Sequence, residues 1–286
     1  MYFGAYDGNV YALNAATGTQ LWSFATGLPV QSSPTVANGV VYIGAGTSLD
    51  ALNATTGALL WSYPTSDIVK CVPAVANGVV YVIGFQIYAI NATTGSLVWS
   101  GLNYVAGSPV VANGIVYVDW GGDLATEGLS AVNGRGIFIS GIEAASLAVA
   151  NGVIYLGTNS GNILYAEDAR TANPLWNFTT NGTITSSAAV ADGVVYVGSA
   201  DGNIYAVNAT TRAFLWTFHT GDVITSSPAV ANGMVYVTSA DGNLYAFNLQ
   251  GGLPAKLHAP RPSTLRPDFN LKPSQPVTRL TSNVSD

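Results

Sequence analysis

A charge cluster dense for this chain lies in DWGGDLATEGLSAVNGRGIF, from Asp119 to Phe138. It holds Asp119, Asp123, Glu127 and Arg135, together with an extra Trp120 and a Gly-Gly pair. Carboxylates at this spacing could offer hard oxygen ligands to a cation such as Ca²⁺, or meet a partner at a rim. A lengthened turn in a degenerate repeat explains the same residues, because loops collect polar side chains, and that reading is preferred. The Asp-Gly-Asn turns at Asp7, Asp201 and Asp241 lack the alternating carboxylates and distal Glu of a calcium loop, so they read as hairpin turns. His219 and His258 stand alone, without ligand spacing, and no catalytic triad can be argued from them. Cys71 is the single cysteine, which excludes an intrachain disulfide and a cysteine cluster for zinc. It occupies a serine position of a repeated motif and reads as a small buried residue. The residues alone therefore assign no catalytic, cofactor-binding or firm metal-binding position.

What positions these residues is a repeat of about 39 residues, clearest in SSPAVANGMVYVTSADGNLYAFN, Ser226 to Asn248. Copies begin at Ser32, Cys71, Ser108, Ser146 and Ser186. Turns of the Asn-Gly or Asp-Gly type recur at Asn38, Asn77, Asn113, Asn151, Asp192 and Asn232, each followed four residues later by a tyrosine. Tryptophans keep the period at Trp22, Trp61, Trp99, Trp176 and Trp216, and Phe138 stands where one is missing. Each unit reads as four short strands rich in Val, Ile, Tyr and Trp, joined by tight turns; none has a helical period. A unit of this length cannot bury its apolar face alone and must stack on its neighbours. The spacing predicts an all-β fold, a β-propeller of four-stranded antiparallel blades. Counting second strands gives about seven blades with the first lacking its innermost strand, or an eight-bladed ring with material missing. The propeller is assigned to residues 1–252. Residues 253–286 are assigned to a last strand, near 253–259, and a Pro-rich, basic, flexible tail.

Charge is scarce, at 8% of residues. Only Lys70, Arg135, Arg170 and Arg212 are basic before residue 253; the tail adds Lys256, Arg261, Arg266, Lys272 and Arg279. An acidic body argues against nucleic acid as a partner, which needs a basic footprint. No apolar run reaches the length of a membrane span, and Met1 opens inside a strand rather than a signal peptide. A truncated or excised chain is the expected reason. Asn-x-Ser/Thr sequons stand at Asn53, Asn91, Asn177, Asn181, Asn208 and Asn283, as candidate glycosylation sites or as turn caps. With the low Lys and Arg content they point to an extracytoplasmic or cell-surface location.

The segments ALNAATGTQLW, ALNATTGALLW and AINATTGSLVW closely resemble the pyrroloquinoline-quinone (PQQ) repeat, and the resemblance extends over residues 2 to about 250. The Trp-Asp signature of WD40 repeats is absent. The resemblance implies that Trp22, Trp61, Trp99, Trp176 and Trp216 dock between blades, near the Thr-Gly of a neighbour. It also brings in two kinds of relative. Quinoprotein dehydrogenases bind quinone and Ca²⁺ on the axis and use a vicinal disulfide; non-catalytic propellers serve outer-membrane barrel assembly or sensing. One cysteine, short loops and few cations argue against the first. The chain is thus expected to be a non-enzymatic, monomeric binding or assembly scaffold, without PQQ or Ca²⁺, presenting rim loops to a protein or surface polymer. The alternatives are a fragment of a PQQ- and Ca²⁺-dependent alcohol or sugar dehydrogenase, and the extracellular sensor of a larger chain. SQPVTRLTSN, Ser274 to Asn283, faintly resembles the Ser-Pro-led first strand and suggests that the tail returns to close the ring.

Overall fold

The computed structural model describes residues 1–103, 105–120, 125–158, 160–249 and 255–257. Among them the regular structure is entirely strand, arranged in seven antiparallel sheets, and the molecule is a β-propeller of seven blades. Six blades have four strands in chain order, and the first has three. Tyr2 of blade 1 pairs with Ala12, and Ala12 with Trp22, as Tyr42 pairs with Ala51 and Ala51 with Trp61 in blade 2. The strand Tyr2–Gly4 is therefore a second strand, and among the described residues blade 1 has no innermost one; the tail segment Ser274 to Asn283, expected to close the ring, lies outside the described residues. The fourth strand of blade 7 is described over Ala255–Leu257, inside the expected 253–259.

The turns follow from residue type. Asn38 has φ 50° and Gly39 φ 76°, the left-handed pair that a two-residue hairpin requires, and the same pair recurs in the other complete blades. At the same end of the blade Asn53 caps the third-to-fourth turn, its Oδ1 accepting the amides of Thr55 and Thr56 at 2.9 Å, and the Ala54 amide bonds the Gly39 carbonyl at 2.9 Å. The innermost strand is pinned by a serine. Ser32 Oγ accepts the Gly44 amide at 2.7 Å and donates to the Gly44 carbonyl at 3.2 Å. Ser186 with Gly198, and Ser226 with Thr238, repeat the arrangement. Cys71 Sγ makes the same two contacts with Ile83, at 3.2 and 3.4 Å.

The core lies between blades. One cluster joins Val10 and Trp22 of blade 1 to Val41, Ile43 and Leu52 of blade 2; another joins Tyr196 and Ile204 of blade 6 to Val235 and Phe247 of blade 7. In blades 1, 2, 3, 5 and 6 the register sets a tyrosine, an alanine and a tryptophan in one row on the same face. The small residue lets the large rings meet: Tyr42 and Trp61 lie 5.8 Å apart across Ala51, and Tyr81 and Trp99 lie 5.9 Å apart across Ala89. Both rings then reach one carbonyl of the next blade. Trp61 Nε1 donates to Ala92 O at 3.0 Å and the Tyr42 hydroxyl to the same oxygen at 3.2 Å. Tyr2 and Trp22 share Ala54 O, and Tyr81 and Trp99 share Ala131 O. Each of these indoles also lies flat against a glycine of the neighbouring turn. A Cβ on Gly57 would fall 2.7 Å from Trp22, and one on Gly95 2.8 Å from Trp61.

The interface between blades 4 and 5 departs from this plan at three positions. Phe138 replaces the tryptophan, so among the described residues Ala169 O receives only the Tyr117 hydroxyl, at 2.7 Å. Ala172, at φ 53°, replaces the turn glycine. Glu167 stands where register puts Leu52, Ile90, Leu129 and Val207 in other blades. It is 5% exposed, and its Oε2 has no hydrogen-bond partner among the described residues. Burial pushes its carboxyl above the ordinary value of 4.5, and only the Ser140 side chain, on blade 4, pulls it back down. Unfolded Glu167 ionises first as pH rises, so this group removes stability between its ordinary and its raised pKa and above. Replacing Glu167 with Leu should therefore raise the melting temperature more at pH 8 than at pH 4, read by calorimetry on both proteins; equal gains at the two pH values would contradict the burial argument.

Candidate functional site

The acidic run of blade 4 does not converge. Asp119 pairs with Thr126, and Glu127 with Val118, so register sends Asp119 and Glu127 to opposite faces of the sheet. Asp119 Oδ1 accepts the Thr126 hydroxyl at 2.6 Å, while Glu127 Oε2 accepts Trp120 Nε1 at 3.0 Å. Asp123 lies outside the described residues. Among the described residues no three His, Cys, Asp or Glu side chains gather as metal ligands. The expected Asp119, Asp123, Glu127 cluster is thus two separate structural contacts in its described part.

The Asp-Gly-Asn turns do more than reverse the chain. Asp201 Oδ1 accepts the Asn203 amide at 2.9 Å, as a turn cap; Oδ2 accepts the Tyr205 hydroxyl at 2.6 Å and the Asn181 amide of the preceding crossing at 3.0 Å. Asp241 repeats this with Asn243, Tyr245 and Gly221, and Asp7 bonds Tyr11 at 2.6 Å. For Asp201 and Asp241 burial pushes the carboxyl up, but the phenol and amide donors together outweigh it and hold the group below 3.8. The Tyr205 phenol moves the other way, to about 12, through burial and the same bond. These carboxylates stay ionised and serve as clamps, contributions present at neutral pH and lost as pH falls through their lowered pKa.

The remaining candidates are placed as follows. Burial pushes the Cys71 thiol up to about 11, which makes it a poor nucleophile. His219 lies beside the Gly202 turn, and His258 is outside the described residues. Asn53, Asn91 and Asn208 use their side-chain oxygens to cap turns, whereas Asn177 and Asn181 are exposed and Asn283 lies outside the described residues. Trp22, Trp61, Trp99 and Trp176 donate to the neighbouring blade, and Trp216 packs 5.4 Å from Phe247 of blade 7. Arg212 replaces the turn glycine facing Trp176 and has φ 56°; beside it opens a groove of about 450 Å³, lined by Tyr165, Trp176 and Thr210 among others.

Topology sorts the exposed charge by end. Asp7, Asp67, Asp119 and Glu143 lie on the end formed by the second-to-third turns and the crossings, with Asp201, Asp222 and Asp241. Lys70 is the one described cation there. The opposite end carries Asp168 and Asp192 with Arg135, Arg170 and Arg212. Sequence reasoning missed this division, although the blade register contains it. It also bears on the quinone. The arginines occupy third-to-fourth turns, away from the axis, and Lys70 lies at the other end. The described cations therefore do not meet at one place, and they do not fit an anionic tricarboxylate bound at the hub.

No curated protein sequence matches the chain significantly. Solved structures share its fold. BamB from Moraxella catarrhalis superposes with a TM-score of 0.75 at 19% identity, covering 91% of this chain and 85% of that one. The computationally designed Ika8 protein gives 0.78 at 18% identity, covering 90% and 83%. A europium-containing methanol dehydrogenase gives 0.67 at 15% identity, covering 90% and 76%. The family model described as outer membrane protein assembly factor BamB matches residues 6–177 and 159–255. Repeat, blades and family match agree, and the chain belongs to this BamB-type family of PQQ-repeat β-propellers.

Proposed function

We propose that this propeller is a non-enzymatic assembly scaffold, working outside the cytoplasm, which docks a protein partner on its carboxylate-rich end. The observation that carries the reading is the division of charge between the two ends, held on a rigid ring. Asp201 and Asp241 tie the turns of that end to the preceding crossings, so the surface is preorganised and little ordering entropy is lost on docking. Carboxylates distributed over one end of the ring steer and orient a basic partner segment. Family membership supports a protein as the partner. The chain works without quinone or Ca²⁺ in this reading, because its cysteine is a buried serine substitute and its cations are dispersed.

A photo-reactive residue at Asp67 or Asp222 should cross-link a discrete partner in native envelopes, and one at Thr93, on the opposite end, should not. Capture should weaken as salt rises across the physiological range, since the Debye length is about 8 Å at 0.15 M. Equal cross-linking from both ends would contradict the docking assignment. Dye reduction with alcohol or sugar after addition of quinone and Ca²⁺ would contradict the non-enzymatic one.

A further inference from the structure

We propose that the groove between the outer strand of blade 5 and the outer turn of blade 6 is a binding site for an acidic saccharide, a sugar ring that bears a carboxylate. It measures about 450 Å³, and Trp176, Asn177, Thr210, Thr211 and Arg212 are among the residues that line it.

One residue that breaks the repeat opens this groove. In blades 2, 3 and 4 the third-to-fourth turn presents a bare glycine to the tryptophan of the preceding blade. A Cβ would fall 2.7 Å from Trp22 at Gly57, 2.8 Å from Trp61 at Gly95 and 2.6 Å from Trp99 at Gly134. In blade 6 the same turn carries Arg212, at φ 56°. Its Cβ cannot enter so close a contact, so indole and turn stand apart. Between blades 4 and 5 the glycine is lost together with the tryptophan, as Ala172 and Phe138. Between blades 5 and 6 the tryptophan stays, and Trp176 Nε1 still donates to Ala209 O at 3.0 Å. A left-handed backbone disfavours arginine, and strain of this kind concentrates at ligand sites.

The lining sets the chemistry. Arg212 is exposed, and its guanidinium has no ion-pair or hydrogen-bond partner among the described residues. No carboxylate lines the groove. Asp168, at the same end of the ring, is engaged in its own turn, accepting the amides of Arg170 and Thr171 at 3.0 Å. A planar fork without a partner recognises a carboxylate through two parallel bonds. Beside it the half-buried Trp176 keeps part of its ring open to the groove. Along the same seam Phe214, 53% exposed, stacks on Phe178 at 6.4 Å. The exposed Asn177, Thr210 and Thr211 add amide and hydroxyl groups. A sugar acid carries the complementary pattern: a C–H face for the indole, hydroxyls for the threonines and asparagine, and a carboxylate for Arg212. An acidic peptide supplies the carboxylate without a hydroxyl-rich ring. The volume falls within the range of small-molecule sites. The groove lies at the end opposite the carboxylate-rich one, so a protein docked there leaves it open.

Isothermal titration of the full chain with trigalacturonate and with a hyaluronan tetrasaccharide tests the site. At least one should bind saturably, with an affinity that falls as salt rises. Arg212→Gly restores the glycine of the other blades, so this variant should melt no lower than the parent. It should nevertheless bind about tenfold to hundredfold more weakly, for want of a charge-assisted contact. Arg212→Gln, which keeps a side chain at the turn, should lose as much, and so should methyl-esterified trigalacturonate. No binding of either acid, or binding indifferent to both Arg212 changes, would overturn the site. Equal affinity for the methyl ester would overturn carboxylate recognition. Tighter binding of hexaglutamate would reassign the groove to an acidic peptide. Partner capture from Asp67 or Asp222 reads the other end, so failure of one assignment leaves the other standing.

Discussion

At three successive interfaces of this ring one shared carbonyl organises the contact. Ala54, Ala92 and Ala131 each hold one backbone oxygen that accepts a tyrosine hydroxyl and an indole N–H from the preceding blade. Both donors belong to large apolar rings, so these partly buried bonds cannot be exchanged for solvent without exposing more of the rings. The dispersion contact of indole on glycine fixes the approach, and the two hydrogen bonds fix the angle. Everything else is arranged around this contact: the alanine between Tyr42 and Trp61, the glycine at 57 or 95, the asparagine that caps the same turn. Because blades 1 to 3 each supply two donors to an acceptor on the next blade, the contact repeats from blade 1 to blade 4; farther round the ring it is altered, with Phe138 in place of the tryptophan and the Tyr196 hydroxyl without a partner among the described residues.

The same constraint separates structure from function. Tryptophans and tyrosines, which in many proteins mark ligand sites, are consumed in holding blades together. Some polar side chains inside the blades are likewise consumed: Asp50 bonds Ser48 and Ser62, and Glu127 bonds Trp120. What remains free to vary is the loops, and their charge is sorted by end. The proposed docking role rests on those loops, held on a rigid ring with one acidic end.

Much of the fold was legible because its determinants are local and repeated. Asn38-Gly39 dictates a hairpin wherever it occurs, the tyrosine four residues on fixes the register, and Thr-Thr-Gly with its tryptophan marks the outer turn. The candidate site was less legible, for physical reasons. Asp119, Asp123 and Glu127 look like a cluster in sequence, but strand alternation sends Asp119 and Glu127 to opposite faces. The second donor to each latch was hidden because Tyr42 and Ala92 are 50 residues apart and nothing local links them. Glu167 gave a signal that went unused: a charged residue at a position where six other units carry an apolar one. The acidic end emerged only once topology assigned every turn to one end or the other.

The shared carbonyl can be tested at one interface by a double-mutant cycle with Tyr42→Phe and Trp61→Phe, measured by urea unfolding. Either single change leaves Ala92 O with one donor, whereas the double change leaves a half-buried acceptor with neither of its ring donors. The double variant should lose about 1–2 kcal/mol more than the sum of the single losses. Strict additivity would mean that the two donors act independently, and would contradict the latch as the interaction that holds the blades together.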